Sequence, residues 1–147
     1  MSIQLDASMT SCEFCTSSGG EIVWQDVLCR VVLINDPEHP GFCRVIWDKH
    51  AREMTDLAET ERQSLLHVVC AVEKVLRDML APDKINLASL GNITPHLHWH
   101  VIPRYRDDPH FPNSVWGQKL RSTPRVLPRD FIAKLQASLQ MTLNPRK

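Results

Sequence analysis

Residues 96–101 alternate between histidine and apolar side chains, and this alternation constrains the fold more than any other feature of the sequence. His96, His98 and His100 occupy every second position, and an apolar residue follows each of them. A period of two is typical of a β-strand, in which alternate side chains point to opposite faces of the sheet. On a helix, residues two apart point away from each other. The pattern therefore predicts a strand with three imidazoles on one face, bracketed by Pro95 and Pro103.

The composition limits the class of protein. The chain has 147 residues, of which 43% are hydrophobic and 23% are charged, which is typical of one globular domain with its own core. Because Lys+Arg and Asp+Glu both number 17, no net charge favours binding to nucleic acid or to a membrane. The polar first eleven residues lack the apolar core of a signal peptide, and no apolar stretch is long enough to cross a bilayer. Five cysteines, an odd number, argue against a disulfide framework. We therefore expect a cytoplasmic protein.

Four further strands and two helices are predicted around the histidine strand. The strands are expected at residues 21–25, 28–34, 43–47 and 85–90, the first two as a hairpin. Apolar residues recur at helical spacing up to residue 80, with Thr60 and Gln63 as a capping box. A second helix is expected over residues 128–143, where Phe131, Leu135 and Leu139 repeat every four residues. This order predicts an α+β fold with a largely antiparallel sheet, as a single domain over residues 1–147.

Two neighbouring imidazoles on one strand face can take different roles in a phosphoryl-transfer reaction. A neutral imidazole can attack phosphorus, and a protonated one can assist the departure of the leaving oxygen. The sequence has no Gly-rich phosphate-binding loop, so other groups would have to hold a phosphate. The candidates lie just upstream of the histidines and are Asn86, Ser89, Asn92 and Thr94. Each of them taken alone is more typical of an ordinary turn.

Cys12 and Cys15 form a Cys-x-x-Cys motif. A redox role would require a helix to start after a strand, and the Ser/Gly-rich segment that follows is a poor helix start. Two cysteines are also half of a zinc site, for which histidines would supply the other ligands. The candidates are His50 and His96 near strands and, as weaker choices in loops flanked by proline, His39 and His110.

The histidine strand resembles the central motif of the histidine triad family of nucleotide hydrolases and transferases. That motif is His-x-His-x-His-x-x with apolar residues at each x, and it stands here at residues 96–102. Residues 40–50, Pro-Gly-Phe-Cys-Arg-Val-Ile-Trp-Asp-Lys-His, are similar to the family's Gly-His strand that ends in Pro-Lys-x-His. Asp56-Leu57, Asn86 and Ile102-Pro103-Arg104 also fall in family order. The resemblance covers residues 12–105 and leaves residues 106–147 as a C-terminal extension.

The resemblance implies a fold, a mechanism and a metal site. The fold would be a five-stranded antiparallel sheet with one long helix and a C-terminal helix, paired into a homodimer. His98 would be the nucleophile that takes the nucleotidyl group from the α-phosphate of a dinucleoside polyphosphate or a nucleoside phosphoramidate. His100 would contact the scissile phosphate and assist the leaving group. Family members with an early Cys-x-x-Cys bind structural zinc, and the matching ligands here are Cys12, Cys15, His50 and His96.

The chain departs from the family's pattern at several positions. Phe42 replaces the histidine of the Gly-His pair, Trp47 replaces a proline, and Asn92 stands where glutamine is usual. The loop before the triad is also shorter. These changes leave the nucleophile in place and bear on the phosphate contacts and the size of the substrate. Residues 107–116, rich in Pro and Asp, form a loop or tail to which no role can be assigned.

Three features favour a homodimer independently of the resemblance, the first being that a five-stranded sheet leaves an edge strand that needs cover. The long helix has an apolar stripe over residues 68–76 that is wider than one sheet contact requires. Large aromatic side chains typical of interface anchors are Trp24, Trp47 and Trp116. A buried core could use all of these residues instead.

Two other functions stay open at this point. A His-x-His strand is also a metal-binding pattern, so the triad histidines could serve a metal-dependent hydrolase, although no nearby Asp or Glu completes such a site. The chain could also be a nucleotide-binding module with little turnover. The sequence names neither the nucleobase nor the leaving group.

Overall fold

Five strands and three α-helices make up residues 11–144, the part of the chain that the computed structural model describes. The predicted lead-in at the N-terminus lies outside these residues except for Ser11. The strands are β1 (Glu21–Gln25), β2 (Cys29–Leu33), β3 (Cys43–Trp47), β4 (Lys84–Ala88) and β5 (His98–Arg104). The helices are α1 (Glu13–Thr16), α2 (Glu59–Leu80) and α3 (Phe131–Leu143), and a short 3-10 helix (Met54–Asp56) precedes α2.

The strands form one sheet in the order β1-β2-β3-β5-β4, and every neighbouring pair is antiparallel. This arrangement confirms the α+β fold with a five-stranded antiparallel sheet. The two central strands, β3 and β5, are paired so that Arg44 lies opposite His100 and Ile46 lies opposite His98. The hairpin of β1 and β2 occupies one side of the sheet, and β4 is the edge strand on the other.

Helices α2 and α3 cover one face of the sheet and enclose the main core. The apolar stripe of α2 is buried along its length, from Leu65 to Leu76. Phe131, Leu135 and Leu139 of α3 are at most 2% exposed, which confirms the predicted four-residue repeat. Each such side chain contributes about 1.5–3 kcal/mol through burial. Because α2 packs against both the sheet and α3, its stripe must be wide.

The structure covers two of the features from which the sequence predicted a homodimer, the stripe of α2 and two of the three tryptophans. The broad stripe of α2 is covered within the chain, with Val68 at 6% exposure and Val75 at 5%. Trp24 and Trp47, expected as interface anchors, are core residues at 7% and 3% exposure. Trp116 is half exposed, at 51%. A dimer would have to form through another surface.

Helix α2 begins earlier than the predicted capping box placed it. Its first residue is Glu59, and the backbone N–H of Ala58 donates to Glu61 Oε1 at 2.8 Å. Thr60 therefore lies inside the first turn, and its expected pairing with Gln63 is wrong. The helix ends where Ala81 adopts a left-handed conformation, with φ of 45°. Among the described residues no helix combines the length and the apolar character needed to span a membrane.

The histidine strand starts and ends later than its flanking prolines suggested. Strand β5 begins at His98, so His96 precedes it, and Pro103 lies within the strand and not at its end. The ladder with β3 stops at the pair Cys43–Val101, so β5 has only β4 as a partner beyond that point. Pro103 has no N–H to donate, and it is tolerated there because one side of β5 has no neighbouring strand to accept a hydrogen bond.

Candidate active site and metal centre

The second face of the sheet carries the histidines. Because side chains alternate along a strand, His98 and His100 share this face with Arg44 and Ile46 of β3. Helix α1 lies on the same face, and its Phe14 is buried at 3% exposure among apolar side chains of β2 and β3. The Phe14 ring meets the His98 ring edge-on, with centroids 4.9 Å apart. The imidazoles thus lie in a shallow, partly apolar setting and not in open solvent.

His98 is held in one tautomer by its backbone. Its Nδ1 lies 2.6 Å from the carbonyl oxygen of His96, and a carbonyl can only accept a hydrogen bond. Nδ1 therefore carries the hydrogen, and Nε2 of the neutral ring keeps its lone pair. Burial lowers the pKa of His98, outweighing the hydrogen bond to His96, which raises it. A neutral imidazole with a free Nε2 is the form that can act as a nucleophile.

His100 is also kept neutral, and more strongly. Burial, followed by the neighbouring His98 and Arg44, lowers the pKa of His100 to about 3. Its ring contacts those of His98, Phe42 and Trp116 edge-on, at centroid distances of 4.9, 5.5 and 4.9 Å. Its Nδ1 is buried and has no hydrogen-bond partner among the described residues. Phe42, which replaces the family's histidine, therefore forms an apolar wall beside His100.

His96 turns away from the other two histidines and towards the cysteines. Its Nε2 donates to the carbonyl oxygen of Trp47, so Nδ1 of the neutral ring has the lone pair. That Nδ1 lies 3.3 Å from Cys12 Sγ and 3.5 Å from Cys15 Sγ. His50 Nδ1 lies 3.3 Å from Cys15 Sγ. The structure thus brings together all four zinc ligands proposed from the sequence.

The geometry of this Cys2His2 cluster fits zinc. The four ligand atoms lie within 4.8 Å of one another. In tetrahedral zinc sites, metal–ligand distances of about 2.0–2.3 Å place neighbouring ligand atoms about 3.3–3.8 Å apart. The backbone carbonyl behind His96 is the kind of outer partner that fixes a ligand's tautomer. Without a cation, burial and the adjacent Cys12 raise the pKa of Cys15 to about 11, so two thiolates here would need a positive charge between them.

Arg30 holds the N-terminal segment against the sheet. Its guanidinium donates to the carbonyl oxygens of Phe14, Ser17 and Ser18 at 2.8, 3.0 and 2.9 Å. These hydrogen bonds satisfy carbonyls at the end of a helix only four residues long, which could not be stable alone. The contacts of Cys12 and Cys15 with the two histidines and those of Arg30 together fix the position of α1.

The four predicted phosphate ligands do not form one group. Asn86 Oδ1 accepts from Arg104 at 2.7 Å, and Ser89 Oγ donates to the carbonyl oxygen of His98 at 2.7 Å. Thr94 Oγ1 lies 3.3 Å from Glu13 Oε2, near the metal cluster, and Asn92 is exposed in the connection before β5. Ser89 supports the backbone of His98, since its one hydroxyl hydrogen is already donated.

Residues beyond β5 contribute contacts that the sequence did not reveal. Arg104 and Asp108 form a buried pair, with Nε–Oδ2 at 2.7 Å and Nη2–Oδ1 at 3.1 Å. This pair anchors the segment that places Trp116 beside His100. In the sequence, Arg104 and Asp108 are four residues apart at the end of a strand. This spacing predicts an ion pair only within a helix, so the sequence did not indicate the pair. No local pattern indicates where Trp116 lies.

A second group of potential ligands comprises Glu38, His39 and His110. His39 Nε2 and His110 Nδ1 lie 2.9 Å apart, and Glu38 pairs with Lys119 at 2.7 Å while its other carboxylate oxygen lies 3.9 Å from His110 Nδ1. The structure thus joins the two loop histidines that the sequence ranked as weaker zinc ligands, away from the cysteines.

Comparison with known proteins adds to this geometry. Residues 17–107, more than half of the chain, match the model of the HIT domain. The chain is 29% identical over 119 residues to an AP-4-A phosphorylase of Mycobacterium tuberculosis, with 74% of this chain and 61% of that protein covered. It is 25% identical over 95 residues to a bis(5'-nucleosyl)-tetraphosphatase (asymmetrical) of Schizosaccharomyces pombe, with 61% of this chain and 52% of that protein covered. The chain therefore spans less than two thirds of the length of these curated relatives.

A solved structure has the same fold. The histidine triad protein of Marinobacter aquaeolei VT8 is 31% identical, with a TM-score of 0.67, and the match covers 86% of this chain and 90% of that one.

Proposed function

The chain belongs to the HIT domain family, and we propose that it is a nucleotidyl hydrolase or transferase acting through His98. The substrate would be a dinucleoside polyphosphate, such as diadenosine tetraphosphate, or a nucleoside phosphoramidate. The relatives named AP-4-A phosphorylase and bis(5'-nucleosyl)-tetraphosphatase support a dinucleotide substrate class. The observation that carries the proposal is the fixed tautomer of His98, whose Nε2 is free to attack.

The reaction would proceed in two displacements. His98 Nε2 forms a bond to the α-phosphorus as the bond to the leaving phosphate oxygen breaks. Water then attacks the nucleotidyl-histidine to release a nucleoside monophosphate, or inorganic phosphate attacks it to release a nucleoside diphosphate. His100 is neutral in the free protein, and a bound phosphate would favour its protonated form because opposite charges attract. It could then give its proton to the leaving oxygen.

Ser89 and Asn86 would support this chemistry from behind. Ser89 holds the carbonyl of His98, and Arg104 orients the amide of Asn86 so that its NH2 group faces away from the guanidinium. We propose the Asn86 amide as a phosphate donor, with Asn92 and Thr94 nearer the rim of the site.

The metal-dependent alternative finds little support in the positions of the histidines. Among residues 11–144, the two clusters able to hold a metal include His96 but neither His98 nor His100. We propose instead that zinc at Cys12, Cys15, His50 and His96 is structural, because four protein ligands leave no open position for substrate.

We also propose a homodimer that forms through β4. This strand is one of the two edge strands of the sheet, the other being β1, so one side of its backbone has no ladder. Exposed apolar side chains lie on it and on the loop that follows: Leu87 at 41%, Leu90 at 55% and Ile93 at 97%. A second copy of the chain would cover them and extend the sheet.

Mass spectrometry after brief incubation with diadenosine tetraphosphate tests the enzyme proposal. We expect an adenylyl adduct on His98 and a loss of turnover of about 10³-fold or more in His98→Ala. Nucleotide binding should persist in that variant, since the phosphate contacts remain. Adding inorganic phosphate should shift the product from the nucleoside monophosphate to the diphosphate if the protein is a phosphorylase.

His67→Ala is the matched control, because His67 is exposed on α2, on the opposite side of the sheet. It should leave turnover unchanged. Turnover in His98→Ala close to that of the wild type would refute the mechanism, and binding without any turnover in the wild-type protein would identify a nucleotide-binding module.

A further inference from the structure

Arg44 is a cation on the histidine face for which the described residues supply no ion-pair partner. It stands in the middle of β3, directly opposite His100. Its guanidinium carbon lies 5.5 Å from the centre of the Phe14 ring, and the same ring contacts His98. We propose that Arg44 binds the phosphate group that His98 attacks. This inference rests on the proposed function and adds to it a residue that the sequence analysis did not select.

The hydrogen bonds of Arg44 are incomplete. Its Nη1 donates to the Gly19 carbonyl oxygen at 3.2 Å, whereas its Nε is buried and has no partner. Within residues 11–144 only two other side-chain atoms share this condition, and one is Nδ1 of His100, on the residue opposite. An unsatisfied buried donor costs about 1–3 kcal/mol, so such atoms require a reason. A phosphate oxygen between Arg44 and His100 would accept from both.

The positive charge of Arg44 also has no counterion among the described residues. The buried arginine at the other end of the site, Arg104, has Asp108 as its partner, and no ion pair of the described residues includes Arg44. Glu13 favours the charged form of Arg44 only from a distance, while burial opposes that form and lowers its pKa. Removing a cation from water without a counterion destabilises a fold. A bound phosphate would supply the missing negative charge.

A bound phosphate explains an arginine at position 44 better than the packing of the strand does. An arginine presents a planar fork that can donate two parallel hydrogen bonds to a phosphate, whereas a lysine offers a single point charge. All other residues of Cys43–Trp47 are apolar, so the packing of the strand itself requires no charge at this position. A leucine would fill the same place on the sheet without the desolvation cost.

Calorimetric titration with adenosine 5'-monophosphate and with adenosine tests the inference. In Arg44→Gln we expect the Kd for the monophosphate to rise at least tenfold, while the Kd for adenosine changes less than twofold. Arg44→Lys should be intermediate, because it keeps the charge and loses the fork. Arg129→Gln removes one positive charge at an exposed position and should change neither Kd.

Thermal unfolding of Arg44→Leu separates a ligand-binding role from a structural one. A phosphate-binding arginine predicts that this variant melts at the same temperature as the wild type or higher, yet binds the monophosphate no better than adenosine. Unchanged monophosphate affinity in the variants, or equal losses for both ligands, would overturn the inference. A further outcome is that the wild type forms no His98 adduct while Arg44→Gln and Arg44→Lys still bind the monophosphate more weakly than the wild type does. In that case the enzyme proposal fails and the phosphate site stands.

Discussion

At the scale of single residues, Asp108 does more than neutralise Arg104. Its carboxylate accepts two hydrogen bonds from Arg104 and further ones from the backbone N–H groups of Tyr105, His110 and Phe111, at 3.2, 3.0 and 2.7 Å. Burial alone would raise the pKa of Asp108, but Arg104 and these backbone donors outweigh it and lower the pKa well below the usual range. One side chain thus fixes the turn through which the extension reaches the site.

We expect Asp108→Asn to lower the free energy of unfolding by about 3–5 kcal/mol at neutral pH, because it leaves Arg104 buried without a counterion. The carboxylate's contribution is present above the unfolded-state pKa of about 3.9 and is lost as pH falls through the lower folded-state value. Urea unfolding at several pH values should therefore show the difference from the wild type shrinking below about pH 4. The control is Asp78→Asn, whose pair with Lys74 at 2.7 Å is exposed, and which should cost less than about 0.5 kcal/mol. Equal effects of the two substitutions would contradict this account.

The sequence could reveal some of these residues and not others. The period-two pattern identifies His98 and His100 because a strand's alternation is local. The position of Arg44 beside His100 depends on the register between β3 and β5, which are separated by α2 and β4. The positions of Asp108 and Trp116 depend on the path of an irregular segment. Such a segment has no periodicity from which those positions could be predicted.

At the scale of elements, α1 is the part of the fold that depends most on contacts outside itself. Four residues cannot form a stable helix alone, and no side chain caps its N-terminus. The sequence motif Cys-x-x-Cys predicted the metal ligands but not this helix, since the Ser/Gly-rich residues after it argue for a turn. The helix follows from the ligand geometry and from Arg30, which are both tertiary constraints.

Cys15→Ser tests whether a metal stabilises this element. We expect elemental analysis to find about one zinc per chain in the wild type and much less in the variant. The melting temperature should fall by about 5 °C or more, since 1 kcal/mol corresponds to about 2–4 °C in a chain of this size. Cys70→Ser is the matched control, because Cys70 is exposed on α2 and outside the cluster, and it should have no effect. A metal-free wild type that melts at the same temperature as the metal-bound protein would rule out a structural role.

At the scale of the whole molecule, the sheet carries three different features at three places. The metal cluster lies beside the start of β5, the candidate nucleophile lies at the centre, and the open edge of β4 lies beyond it. The element order predicted an α+β fold with a largely antiparallel sheet, and the family resemblance added that the sheet has five antiparallel strands, but neither predicted the strand order. Whether the stripe of α2 is free for a partner was not predictable, because burial of α2 by α3 is decided only when the chain is folded.

Light scattering at micromolar concentration tests the proposed dimer. We expect a mass of twice 16.8 kDa for the wild type. Leu87→Lys should raise the dissociation constant at least about tenfold, which corresponds to 1.4 kcal/mol, because it places a charge in the proposed contact. Leu66→Lys is the control, since Leu66 is exposed to a similar degree, 39% against 41%, but lies on α2. A mass of 16.8 kDa at every concentration would mean that the protein is a monomer.

The contact between Trp116 and His100 has an evolutionary consequence. The match to the HIT domain ends at residue 107, so Trp116 lies outside the segment that defines the family, whereas His98, His100 and Phe42 lie within it. Phe42, on one side of His100, therefore lies within the segment that matches the family, and the contact from Trp116 belongs to the extension. Irregular segments diverge faster than the sheets that support them. Descendants of a common ancestor could then keep His98 and His100 and change the surroundings of His100 by altering the extension alone.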